Sequence, residues 1–110
     1  MSRKLERVEL NQTIIVTDTI TAKRFGELVN VSAEGLMIMT DNEIATHSIF
    51  QLCIKLPTEI TGHDTIELGA DCLWCRKAEN FTRYWAGFQI IDASDEAVQQ
   101  INQLIAHYQK

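Results

Sequence analysis

The chain reads as an all-β domain, a barrel or a sandwich of about six strands, closed by one C-terminal helix. Two patterns carry that reading: apolar residues alternate with period 2 from residue 13 to residue 91, and helical spacing appears once, after residue 94. A third observation bounds the size. With 110 residues, 45% hydrophobic and 23% charged, the composition is that of one globular domain able to bury its own core. A single Pro, five Gly and the absence of repeats or low-complexity tracts leave no room for a long linker, so residues 1–110 are expected to fold as one unit.

Taken in order, "TIIVT" at 13–17 is β-branched and predicts a strand. Residues 24–31 and 35–41 form two apolar runs separated by Asn30, Ser32 and Gly35, residue types that make turns by bonding their own backbone or by accepting a left-handed conformation. "IFQLCIKLP" puts Phe50, Leu52, Ile54 and Leu56 on one face, and Pro57 ends the strand. After a turn around Gly62, residues 64–76 align Ile66, Leu68, Ala70, Cys72 and Trp74 on one face, and residues 82–91 align Tyr84, Ala86, Phe88 and Ile90. Short strands of this kind must curl to hide their edges.

At 94–108 the period changes. Ser94 is a fitting N-cap, Asp95 and Glu96 sit where the helix dipole favours negative charge, and Val98, Ile101, Ile105 and Tyr108 form an apolar stripe. That stripe is expected to dock on the second apolar face of the strands, where Met37, Met39 and Trp85 would otherwise be exposed.

Charge and cysteine usage exclude several functions. "MSRKLERVELN" is charged where a secretory signal is apolar, and no run approaches the roughly 20 apolar residues of a membrane span, which predicts a soluble, cytoplasmic protein. Cys72 and Cys75 form a C-x-x-C, but on an alternating strand they point to opposite faces, and His47, His63 and His107 show no metal-ligand spacing, so reduced, buried thiols and no metal site are expected. A net charge of −5, with only four Phe, two Trp and two Tyr, argues against binding a DNA or RNA polymer. No Ser-His-Asp set or carboxylate pair marks the chain as an enzyme.

Within this acidic chain the start is basic: Arg3, Lys4 and Arg7 stand against Glu6. Two guanidiniums four residues apart can grip a phosphate bidentately or bond guanine O6 and N7. Asn30 and Ser32, two apart on an extended backbone, offer base-edge partners, and Gly35 permits close approach of the chain to a ligand. Each motif alone is common. Together they suggest a guanine nucleotide.

In this order the motifs resemble the PilZ domain family over almost the whole chain: "RKLER" matches its RxxxR, "NVSAEG" its [D/N]xSxxG, and "LCIKLP", "IELGADCLWC" and "YWAGFQI" its later strands. The resemblance implies a six-stranded antiparallel β-barrel with a C-terminal α-helix, and binding of cyclic di-GMP. Arg3 and Arg7 would be ligands for guanine and phosphate, Lys4 would add charge toward phosphate, Asn30 and Ser32 would meet a guanine edge, Gly35 would shape the loop, and Trp74 would lie near the ligand face or pack at its rim. Two positions depart from the family pattern: Glu6 precedes the second Arg where Pro is common, and Asn30 replaces the commoner Asp, losing a charge-assisted bond to guanine. The function implied is a non-enzymatic receptor whose arm, residues 1–11, is mobile until ligand orders it and so signals to an effector protein. The alternative is a PilZ-like interaction module that binds protein and no nucleotide.

Overall fold

A computed structural model describes residues 8–9, 13–56, 65–79 and 82–108. Pro57 and the turn expected around Gly62 lie outside the described residues. The elements are β1 (Val8–Glu9), β2 (Ile15–Asp18), β3 (Lys23–Val31), β4 (Gly35–Thr40), β5 (Ile49–Lys55), β6 (Thr65–Lys77), β7 (Tyr84–Asp92) and the helix α1 (Asp95–Tyr108). Strands β2 to β7 pair antiparallel in the order β3-β2-β5-β6-β7-β4, and β4 returns to β3, so the six close into a barrel. Closure satisfies the main-chain groups that an open sheet would leave at its edges.

The alternating residues fill the interior. Val16, Leu36, Ile38, Leu52, Ile54, Ile66 and Cys72 are almost wholly buried. Buried Phe25 and Phe88 and the partly buried Phe50 pack together, with ring centroids 5.0, 5.7 and 6.4 Å apart, in the tilted and edge-on geometries that aromatic quadrupoles favour. Where β3 meets β4 the strands approach so closely that a Cβ on Gly26 would run into the Met39 carbonyl and the Thr40 Cα. Only glycine fits there.

Helix α1 begins as its sequence requires: the Ala97 N–H donates to Ser94 Oγ at 3.1 Å, a standard N-cap bond. Its docking differs from expectation. The buried stripe is Ala97, Ile101 and Leu104, while Val98 is 44% exposed and the Tyr108 side chain lies outside the described residues. The cause is rotational, because Ala97, Ile101 and Leu104 join the barrel core and Gln100 Nε2 donates to the Thr65 carbonyl at 3.1 Å, tying the helix to the start of β6. Met37, Met39 and Trp85 therefore stay on the barrel's outer wall, half-buried rather than covered by the helix.

Strand β6 brings a second correction. A register shift between Cys72 and Trp74 leaves Leu73 as an extra residue, a β-bulge. Past it the alternation is inverted, so Trp74 pairs with Gly87 on the outer face instead of joining Ile66, Leu68, Ala70 and Cys72 inside. Cys75, opposite Ala86, turns back toward the core, so Cys72 and Cys75 share the inner face rather than diverging.

The helix is a plug that the barrel needs. Leu104→Ala is expected to cost about 2–5 kcal/mol through the cavity it opens, read as a lower urea midpoint with an unchanged slope.

Candidate functional site

The outer wall follows from strand register. Asn30 on β3 faces Met37 on β4, Met37 faces Gly87 on β7, and Gly87 faces Trp74 on β6, so the four lie in one row across four strands. Two bulges make this row. Leu28 and Asn30 would share a face by simple alternation, yet a register shift between them leaves Val29 over, sending Leu28 into the core and Asn30 outward. The Leu73 bulge does the same for Trp74.

Gly87 leaves a depression in the middle of the row, and the pyrrole side of the Trp74 indole lies across it, where a Cβ would collide. The Arg76 guanidinium stands over the same indole, 5.2 Å from the ring centroid, a cation–π contact that leaves Trp74 36% exposed. At the other end of the row Asn30 Nδ2 donates to Met37 Sδ at 3.4 Å.

The Asn30-to-Gly35 loop is a tight hairpin connection. Ser32 N–H donates to the Gly35 carbonyl at 2.9 Å, and Gly35 N–H donates back to Ser32 Oγ at 3.2 Å. Ser32 is 1% exposed. Extended backbone ends at Val31, so Asn30 and Ser32 do not present their side chains together: Asn30 faces outward and Ser32 holds the turn closed. Arg3, Lys4 and Arg7 lie outside the described residues. The nearest described part of the arm is β1, with Val8 opposite Val31 and Glu9 opposite Asn30, which anchors the chain one residue after Arg7 beside this loop.

One row further from the loop, Glu27, Met39, Trp85 and Arg76 follow the same cross-strand order. Glu27 belongs to a network with Arg24 at 2.7 Å and Arg83 at 3.3 Å, and Asp41 joins through Arg24 at 3.1 Å. The hydrogen bond from Arg24 holds the Glu27 carboxyl below its ordinary range, and the same bond raises Arg24. Burial pushes the Cys72 thiol up, with the nearby Cys75 adding to it, which keeps Cys72 protonated and unreactive. The three cysteines are free, and among the described residues no group of three or more His, Cys, Asp and Glu could hold a metal. No helix among those residues is long and apolar enough to cross a membrane.

Sequence reading placed Met37 on the outer face only as a dock for the helix, and it did not single out Arg76 or Gly87 for this wall. The only signal was Gly87 itself, an isolated glycine inside a strand, which marks a bulge or a close approach.

A closed six-stranded barrel plugged by a C-terminal helix, with a polar hairpin loop beside a four-strand outer row, defines a small β-barrel domain. The family model for the PilZ domain matches residues 2–107, and the chain belongs to that family. Solved structures agree in fold. The chain is similar to the motility inhibitor MotI (DgrA) of Bacillus subtilis at 16% identity and a TM-score of 0.74, covering 97% of this chain and 50% of that one. It is similar to the PilZ domain of Escherichia coli YcgR, solved with c-di-GMP, at 10% identity and 0.73, covering 98% and 92%, and to K. pneumonia MrkH in its c-di-GMP complex at 10% and 0.73, covering 96% and 52%. The chain thus spans about half the length of MotI and of MrkH. No curated protein matched.

Two outcomes are expected. In a Trp85→Phe background, Gly87→Ala should push the Trp74 indole off the wall, shifting its emission to the red and costing about 1–3 kcal/mol as an overpacked site. The stabilising contribution of Glu27 is fully present above the unfolded carboxyl pKa of about 4.3 and is lost as pH falls through the lower folded value. Because its partners are partly exposed, Glu27→Gln should remove only a few tenths of a kcal/mol of the stability difference between about pH 7 and pH 3, measured by urea denaturation.

Proposed function

We propose that this chain is a non-enzymatic receptor for cyclic di-GMP, bound on the outer row between Asn30 and Trp74 and covered by the N-terminal arm. The observation that carries the reading is positional: β1 pairs directly with Asn30 and Val31, so the arm bearing Arg3, Lys4 and Arg7 is tethered at the edge of the row that Asn30, Met37, Gly87 and Trp74 form. Family membership supports the ligand class, as do the YcgR and MrkH structures that hold this dinucleotide.

Each residue then has a distinct task. Arg3 and Arg7 supply planar forks for guanine O6 and N7 or for phosphate, and Lys4 adds a point charge. Asn30 offers an amide to the base edge. Ser32 and Gly35 act by holding the hairpin that sets where Asn30 stands. Gly87 lets the Trp74 indole lie against the backbone, where it forms the far wall. Val8 and Glu9 are already paired with β3, which corrects the expectation of an arm mobile over all of residues 1–11; closure of the residues before them over the ligand creates a surface that an effector protein can read.

Cyclic di-GMP at about 100 times its dissociation constant should stabilise the fold by roughly 2.7 kcal/mol, a rise in Tm on the order of 10 °C. Arg7→Ala should weaken binding by roughly 10- to 150-fold, the loss of a hydrogen bond to a charged group. Thermal melts and calorimetric titration read both. An unchanged Tm at millimolar nucleotide would rule out the receptor and leave a protein-interaction module.

A further inference from the structure

Beyond the Asn30–Trp74 row the outer wall deepens into a cleft of about 590 Å³, lined by Met39, Arg76, Lys77, Thr82, Arg83 and Trp85. Its volume falls in the range of small-molecule pockets, roughly 300–1,000 Å³. An indole and a thioether supply apolar surface, and cations outnumber the single lining carboxylate, Glu79, in a chain whose net charge is −5. One of those cations is already engaged, because Arg83 Nη2 lies 3.3 Å from Glu27 and 3.5 Å from Asp41. Arg76 is differently placed. It pairs across the strands with Trp85, while its guanidinium reaches back over Trp74 in the neighbouring row. It therefore touches both the row and the cleft.

We propose that the cleft is the pocket for the second base of the same dinucleotide, with Trp85 as its stacking surface and Arg76 as the fork that holds the phosphate between the two bases. The proposal rests on the cyclic di-GMP reading. Spacing supports it. From Asn30 to Trp85 is two strand steps of about 4.8 Å and one two-residue step of about 6.7 Å, close to 12 Å along the wall, a span for two linked nucleotides and too long for one base. The chemistry agrees, since a purine stacks on an indole and a guanidinium pairs bidentately with phosphate oxygens. Recognition of a dinucleotide over a mononucleotide is then built into the wall itself, through two residues outside both sequence motifs.

The test is calorimetric titration of cyclic di-GMP into the full chain and into Trp85→Leu, Trp85→Phe and Arg76→Gln, with the melting temperature of each variant as the control for folding. Trp85→Leu should weaken binding about tenfold or more, as loss of one base–aromatic stack does. Trp85→Phe should keep affinity within a few-fold, and Arg76→Gln should lose roughly tenfold with little change in melting temperature. Trp85→Leu or Arg76→Gln binding as the unaltered chain does overturns the second-base pocket alone. So does Trp85→Phe failing as badly as Trp85→Leu, because position 85 would then matter for packing and not for stacking. An unaltered chain that takes up no cyclic di-GMP overturns the receptor reading, and the pocket with it.

Discussion

Everything on the outer wall depends on the return of β4 to β3. That one antiparallel pairing turns a six-strand sheet into a cylinder, and a cylinder separates its side chains absolutely into those that fill the interior and those that do not. Once Phe25, Phe50, Phe88 and the aliphatic residues around them have packed the inside, each outward position is available for something else. The helix reinforces the division. By plugging the barrel with Ala97, Ile101 and Leu104 it seals the core without covering the wall that carries Met37, Met39 and Trp85.

Two bulges then edit the division locally. Alternation is rigid, so a polar residue at a core-facing position can be brought outward only by shifting the register by one. Val29 does this for Asn30 and Leu73 does it for Trp74, at opposite ends of the same row. Bulges disrupt the ladder and leave a residue unpaired. Their common effect is to place an amide and an indole on the wall, with the indole lying across Gly87. The Leu73 bulge also draws Cys75 inward beside Cys72, where the raised thiol pKa of Cys72 follows from burial.

The barrel was legible because period 2 survives across most of each strand. The inward residues of β5, β6 and β7 could be read directly until the first bulge, and Ser94 as a cap could be read from its residue type and position. What stayed hidden was where the period breaks. Nothing in "DCLWC" distinguishes a continuous strand from one with Leu73 looped out, since the choice is made by how β6 must curve to meet β7. The helix was misjudged by about one residue in rotation for a similar reason: Val98 and Ala97 are both acceptable on an apolar stripe, and only the end of the barrel with its Thr65 carbonyl decides between them. On the site, the loop letters were legible as turn chemistry, but the way the fold separates them was not. Ser32 is bound to Gly35 across the turn, which leaves Asn30 as the outward-facing polar residue of the motif.

The charge distribution ties these features together. An acidic chain repels an anion at long range, so any anion it takes up must be met by cations close to it, where screening by water and salt is least effective. Arg24 and Arg83 are paired with Glu27 and Asp41 in a network that braces β3, β4 and the start of β7. Of the cations that line the cleft, Arg76 rests on Trp74 and Lys77 follows it in the strand. A cation over an indole is already partly desolvated, which lowers the further cost of turning it toward phosphate. Arg76 is in this sense prepared by Trp74, and Trp74 can hold it there because Gly87 lets the indole lie flat against the wall.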